Sequence, residues 1–525
     1  MSSEAEYNLL DEKWIVAVDA DGRFVEMGIK EVFARAHEVK RLSGEIPTQD
    51  LAVLRLLIAI VYAVYQRHDA DGTESVIEDE DGARERWAAI WSKGRFDEGV
   101  IFDYLERYRD RFYLFHPARP FYQAPINKGT GYGAAKLNGE LSESSNKPRL
   151  FTLVSGDRKE ALTYAEAARW LINMNAFDDT SSKPTVRGGN LPSTGAGWVG
   201  KLGPVFIEGS NLFETIVLNT VMLSEDDEPF PVGIPTWEPE EPRTEERVRI
   251  DPPRSPVEIM TLQSRRLLLK RDGRGVTEVL LLGGDIVDKE NMFVEQMTLW
   301  RRNKEGDFVP RRHDPSRSMW RDFQSILVSS FSDGSEREAG VIRWMRYLVR
   351  NGLVPFGSVT VAIAGVKYAD KDFYVQDYVS DSLTVNRELF SSMGADWNVR
   401  ISEAVDTTDK CVYALGRYAS NVSQVCGCDE NVCNSAAGKA RASAYASLDL
   451  PFRRWLSSLD PDKDDLEGRM GEWIDSVKGT LRRLAKDILR DSGDRAKVGK
   501  DGESAFTAYR KFEGALYKIT DGVKE

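Results

Sequence analysis

Apolar and polar positions change their period several times along the chain, and each change predicts an element. NLLDEKWIVAVDADGRFVEM (8–27) carries apolar runs on both sides of Asp19-Ala20-Asp21-Gly22, the pattern of a small β element around a turn. GIKEVFARAHEVKRL (28–42) is amphipathic at helical spacing. A long apolar helix is predicted from Pro47 and Thr48, with Thr48 as N-cap. Residues 84–110 read as charged helix, and 117–160, rich in Pro, Gly, Asn, Ser and Lys, as long loops. TYAEAARWLINMNAF (163–177) predicts a helix capped by Thr163, with Glu166 completing a capping box. Residues 178–203 form a second irregular stretch. PVFIEG then reads as strand, and Ser210 as the cap of the helix LFETIVLNTVML.

The second half divides more simply. SEDDEPFPVGIPTWEPEEPRTEE (224–246) is acidic and proline-rich, an extended surface segment. Residues 256–310 alternate like strands, and GSVTVAIAGVKYA (357–369) is another β-like run. From about 385 four amphipathic stretches follow, near 398–424, 434–459, 463–491 and 502–520, with short connections that predict an antiparallel bundle. The expected fold is α+β: a large mixed α/β N-terminal domain over 1–384, then a four-helix bundle over 385–525. The length of 525 residues agrees, since one core rarely organises so long a chain.

Composition narrows the class. With 41% hydrophobic and 30% charged residues the chain reads as globular. The apolar stretch LAVLRLLIAIVYAVY (51–65) contains Arg55 and falls short of the roughly 20 residues a bilayer span needs, so it is expected to be a buried helix. The N-terminus MSSEAEYNLLDEKWI lacks the basic start and apolar run of a secretory signal, and with four cysteines a cytoplasmic home is expected. The net charge of −13 opposes coating of nucleic acid by bulk attraction and leaves room only for a local basic groove.

The chemistry-bearing motifs are few. Gly195, Gly197 and Gly200 spell G-x-G-x-x-G, but a loop precedes them and a strand follows, the reverse of a dinucleotide fingerprint. The alternatives are a surface loop, or glycines that let backbone amides approach a groove or phosphate. Trp198 beside them is a wedge or a packing anchor. The histidines (37, 68, 116, 313) are dispersed, and His313-Asp314 is an isolated HD pair in an arginine-rich loop. CGCDENVC makes Cys426, Cys428 and Cys433 metal candidates, yet three thiolates leave a structural zinc site incomplete. Cys411, on the predicted 398–424 helix, would lie about 22 Å away along its axis. The expected state is therefore metal-free, with no cofactor. Two basic clusters stand out: Arg265, Arg266, Lys270, Arg271 and Arg274; and Arg301, Arg302, Lys304, Arg311, Arg312, Arg317 and Arg321, interleaved with Trp300, Phe308 and Trp320. Each is either a solvated face paired with acids or part of a phosphate-contacting surface.

Taken in order, NLLDEKWI, GEIPTQDLAVLRLLIAI, RPFYQ, the glycine loop leading to LFETIVLNTV, the PTW of the acidic segment and the C-terminal helices resemble the CasA family. That family is the large subunit of the type I-E CRISPR surveillance complex, Cascade. The resemblance implies a non-enzymatic role in RNA-guided antiviral defence. Such a protein recognises the protospacer-adjacent motif (PAM) in double-stranded DNA, opens the adjacent duplex and helps recruit a helicase-nuclease. Its implied partners are the other Cascade subunits, the crRNA and target DNA, with no membrane. The family's glycine loop corresponds to Ser193-Thr194-Gly195-Ala196-Gly197-Trp198. Its lysine finger falls in DKENMFVEQMTLW, where Lys289 is the nearest lysine and the spacing back from Trp300 points to Asn291. Its wedge hairpin corresponds to GVKYADKDFYVQDYVSD, with Asp370-Lys371-Asp372 at the tip in place of the usual glutamine; Lys371 is the better DNA contact, since phosphate repels an aspartate. A further family loop matches 143–160, with Phe151 among Lys147, Arg149, Arg158 and Lys159. Two other readings stay open: a metal-dependent nucleic-acid-processing enzyme, and a scaffold in which the glycine loop is an inert linker.

Overall fold

The computed structural model describes residues 5–127, 129–139, 159–180, 183–186, 188, 195–248, 250–327, 334–354, 357–369, 371–499 and 502–521. The fold is α+β. The chain forms two compact units: Met1–Ser316 with Ser329–Tyr347 and Thr360–Ser382, and Arg317–Val328 with Leu348–Val359 and Leu383–Glu525.

The first unit is built around the apolar helix Pro47–Tyr65, almost every residue of which is buried. Each large aliphatic side chain so buried contributes about 1.5–3 kcal/mol. By length and composition this helix could cross a membrane, but 94% of its apolar window is packed inside the protein. Its one basic residue, Arg55, meets Glu295 through two 2.8 Å hydrogen bonds in the core. The predicted cap is displaced: Ile46 is the N-cap and Pro47 the first helical residue, while Thr48 is fully buried. Pro47 suits that place, because its missing N–H would be unpaired there anyway. The turn before the helix is tied instead by Asp50, which accepts the Gly44 amide at 2.6 Å, and by the Gln49 side chain, which accepts that of Glu45.

The helices Tyr164–Phe177, Pro256–Met260 and Leu212–Leu218 pack against this helix, and small sheets complete the unit. Ile15–Asp19 pairs with Phe24–Met27 across the predicted turn, where Gly22 takes a φ of +81°. The amphipathic segment 28–42 is only half helical: Ile29–Arg35 is a helix, whereas Val39–Leu42 is a third strand on Ile15–Asp19. Its buried Val39 and Leu42 flank exposed Lys40 and Arg41, and sheet pairing overrides the helical spacing. Tyr164–Phe177 is the helix expected, with the Thr163–Glu166 capping box formed. The helix after Ser210 is shorter than its apolar run. Asn211 is its cap and it ends at Leu218; Ser210 donates to Glu214 instead. Within 117–160, a short strand, Thr130–Gly133, and a helical turn, Ala134–Leu137, replace part of the expected loop. Residues 256–310 are only partly strand. A helix, Pro256–Met260, precedes the hairpin of Arg265–Asp272 and Gly275–Gly283. The β-like run at 357–369 is the strand Ser358–Ala369, flanked by Val205–Glu208 and Tyr374–Asn386.

The second unit contains four long helices: Gly394–Val425, Glu430–Ser457, Leu466–Asp491 and Ala505–Thr520. The first packs against the other three. Asp429, Asp465 and Ser504 cap the later three through their side chains. Trp320 stacks on Phe452 at 4.7 Å, and the Trp473 indole donates to Thr408.

Candidate nucleic-acid interface

The glycine loop is shaped first by the protein's own interior. Gly195 has a φ of +71°, a left-handed conformation that glycine takes at no steric cost. A Cβ on Gly197 would stand 2.5 Å from the Ala176 carbonyl oxygen, at the end of the Tyr164–Phe177 helix. A Cβ on Gly200 would stand 2.2 Å from the Tyr368 hydroxyl, which itself donates to the Phe177 carbonyl at 2.7 Å. Packing alone thus demands glycine at position 197, since its bare face is filled by Ala176. Trp198 is an anchor, not a wedge. It is buried, its amide donates to Ser264 and its indole to Glu295 at 2.7 Å. Ala196 is also buried, although it and Gly195 border an open cleft.

A buried cluster of charges holds this loop. Asp178 lies 3.2 Å from Lys136, 3.1 Å from Lys183 and 2.6 Å from Arg265. Asp179 is bound by the same two lysines. Burial disfavours an ionised Asp178, but Lys183, Lys136 and Arg265 outweigh it and hold the carboxyl well below its usual range. Burial likewise opposes the charge of Lys136, and the two aspartates overcome it. From this cluster Arg265 donates to the Gly195 carbonyl at 3.0 Å, and the Asp178 carbonyl accepts the Gly197 amide at 2.8 Å. The Thr180 amide donates to the carbonyl of Asp372. One charged core thus fixes the glycine loop and the hairpin tip together.

These pieces border a polar cleft of about 700 Å³. Its walls include Gly195 and Ala196, Lys289, and Asp372, drawn from three segments distant in sequence. Lys201, Arg301, Arg311 and Arg312 add positive charge; Asp288 and Glu290 oppose it. Lys289 is exposed. Asn291 is also exposed but committed elsewhere. Its side chain donates to Asp307 at 2.9 Å and accepts the Phe308 amide at 2.8 Å, so it clamps the hairpin of Trp300–Arg302 and Phe308–Pro310. At the tip, Lys371 (φ +61°) is exposed, and Asp372 (φ +70°) is held by a bidentate Arg312 at 2.8 and 2.9 Å. That pairing offsets the repulsion a free aspartate would exert on phosphate.

Other sequence signals resolve differently. Arg265 and Arg266 are buried and paired with Asp178 and Asp285, so the first basic cluster is in part a structural device. Arg271 pairs with Glu6 and Arg274 with Asp272. In the second cluster, Arg321 belongs to the helical unit, where it meets Asp409 and the face of Tyr445. The His313 ring bonds the Pro204 carbonyl, and Asp314 accepts the amide and hydroxyl of Ser316. Cys426, Cys428 and Cys433 are free thiols, and among the described residues no three His, Cys, Asp or Glu side chains converge to hold a metal. Lys147, Arg149, Phe151, Arg158, Ser193, Thr194 and Asp370 lie outside the described residues. The sequence reading missed Lys136, Asp178, Asp179 and Lys183. Their only signal is a DD pair with a lysine four residues beyond Asp179, in a stretch otherwise typical of loop.

The family model for CRISPR-associated protein Cse1 matches residues 8–488. A CasA/Cse1 protein of Thermus thermophilus is 33% identical over 337 residues, which span 62% of this chain and 61% of that relative. The crystal structure of Thermobifida fusca Cse1 superposes with a TM-score of 0.84 at 28% identity, covering 98% of each chain. Cse1 of Acidimicrobium ferrooxidans gives 0.79 at 25% identity, over 99% of this chain and 100% of that one. A chain of a CRISPR RNA-guided surveillance complex shares the fold, with a TM-score of 0.71 at 18% identity.

Proposed function

Since the chain belongs to the Cse1 (CasA) family of CRISPR-associated proteins, we propose that it is the PAM-recognising large subunit of a type I-E Cascade complex. It binds double-stranded target DNA beside the guide-paired segment, helps open the duplex there, and assists recruitment of the helicase-nuclease. Its role is recognition, its site of action the cytoplasm, and its partners the crRNA and the other Cascade subunits.

The observation that carries this reading is the cleft itself. The glycine loop, Lys289 and the hairpin tip, three segments more than 70 residues apart in sequence, border one polar opening. Between the two lysine-finger candidates the geometry favours Lys289, because the Asn291 amide is already used on both sides. Lys371 stands exposed at the tip of the hairpin, where a wedge would enter the duplex. A cleft of limited positive charge on an acidic body suits a subunit whose affinity comes mainly from guide pairing. Reading from the minor groove separates base pairs poorly, which fits tolerance of several flanking sequences.

The test is binding of the reconstituted complex, with and without this chain, to duplexes that differ only in the base pairs flanking the target. Discrimination that requires this chain and is lost with Lys289→Ala supports the reading. Binding indifferent to both flank and chain overturns it.

A further inference from the structure

Lys201 was not singled out by any motif, yet it occupies the centre of the charged geometry. It follows the third glycine, and its Nζ lies 5.9 Å from the centroid of the Trp198 ring. A Cβ at Gly195 would stand 3.1 Å from its Cε, so the lysine stem runs directly beneath the glycine loop. Lys201 lines the same cleft as Lys289 and Arg312. Of the described charged groups that act on it most, Arg265, Lys289 and Arg312 are cationic and Asp288 is anionic. The nearby Asp372 carboxylate is already claimed by Arg312. Burial first, then these three cations, push the Lys201 amine down to about 8.

This half-buried amine faces a cleft where, among the described groups that act on it most, three cations outweigh the one anion, Asp288, so a closer counter-anion is favoured. A phosphodiester of the bound duplex would supply one and restore the amine's affinity for its proton. We infer that Lys201 is a further DNA-contacting residue of this cleft, which takes a backbone phosphate beside the glycine loop and binds a proton from solvent as it does so. The inference rests on the reading proposed above, and assigns to it a residue and a proton that the reading alone does not contain.

Linkage fixes the direction. Well below pH 8 the amine is charged before and after binding, and affinity is flat. Above pH 8 the free amine is neutral and the bound one charged, so binding draws a proton and weakens by at most about tenfold per pH unit. Arginine stays charged throughout this range, so Lys201→Arg removes the slope, and Lys201→Met removes both the slope and the contact.

The experiment measures affinity of the reconstituted complex for its duplex from pH 7 to 9.5, with the native chain, Lys201→Arg and Lys201→Met. Alongside it, trace acetic anhydride labels neutral amines on the full-length chain, and the Lys201 peptide is followed by mass spectrometry with and without duplex. The expected result is a labelling midpoint near 8, protection by duplex, and a native pH slope that Lys201→Arg abolishes. Identical slopes for native and Lys201→Arg complexes, or labelling of Lys201 untouched by duplex while Lys289 is protected, overturn the inference and leave the PAM reading standing. Loss of flank discrimination altogether removes both.

Discussion

Gly197 and Ala176 meet backbone to backbone: a Cβ at position 197 would lie 2.5 Å from the Ala176 carbonyl oxygen. Neither partner is a flexible side chain, so the helix end or the loop must move. Gly197→Ala is expected to cost about 3 kcal/mol, as overpacking does. At Gly195 an alanine would meet only the movable Lys201 stem, and its penalty is the left-handed backbone, roughly 1 kcal/mol. Thermal melts should therefore rank Gly197→Ala below Gly195→Ala. The reverse order would refute the packing role.

Lys289 and Asn291 are two positions apart and should behave oppositely. Lys289→Ala removes an exposed charge and is expected to leave stability within about 0.5 kcal/mol while weakening duplex binding and lowering its salt slope by about one. Asn291→Ala breaks the tie to Asp307 and Phe308 and should destabilise by about 1 kcal/mol. Paired melting and binding measurements separate the two.

The Arg312–Asp372 pair is about one third exposed, so it adds little stability, at most about 1 kcal/mol. Its effect is on the field in the cleft. Asp372→Asn frees one positive charge, and is expected to tighten binding to duplexes of any flank and to steepen the salt dependence. Discrimination should fall, because the added attraction is blind to sequence. A titration of duplex binding against salt concentration checks this.

Glu295 contributes to the acid sensitivity of the core. Burial opposes its charge, but Arg55 prevails and holds the carboxyl below its ordinary 4.5. The unfolded chain then binds the proton more readily than the folded one. Stability from this group is complete above about pH 4.5 and is lost as pH falls through the folded value. Glu295→Gln leaves Arg55 buried without its partner charge and should cost about 3–5 kcal/mol at neutral pH. The same variant should flatten the acid limb of a stability–pH curve.

How far the sequence disclosed this molecule depended on how local the information was. The capping box at Thr163 and the turn at Gly22 need only a few adjacent residues, and both formed as read. Val39–Leu42 could not be read locally, because its strand state comes from pairing with Ile15–Asp19. The cleft was partly legible. Lys289 and the tip residues came from ordered resemblance along the chain, but the partners that orient them did not. Arg265 looked like a surface cation until its strand turned it inward onto Asp178, and nothing in its neighbourhood signals that fate. Trp198 shows the same limit: Glu295, its acceptor, lies 97 residues away.

The separation of Arg55 from Glu295 also sets a schedule for biosynthesis. The two are 240 residues apart, so at 5–20 residues per second roughly 12–48 seconds pass between their synthesis. For that interval the ribosome displays the most apolar helix of the chain with an unneutralised arginine and without the segment that will cover it. Until Glu295 is made, the nascent chain is expected to depend on holding chaperones at this helix. A truncated transcript that stops short of Glu295 would yield an aggregating fragment, not a smaller domain.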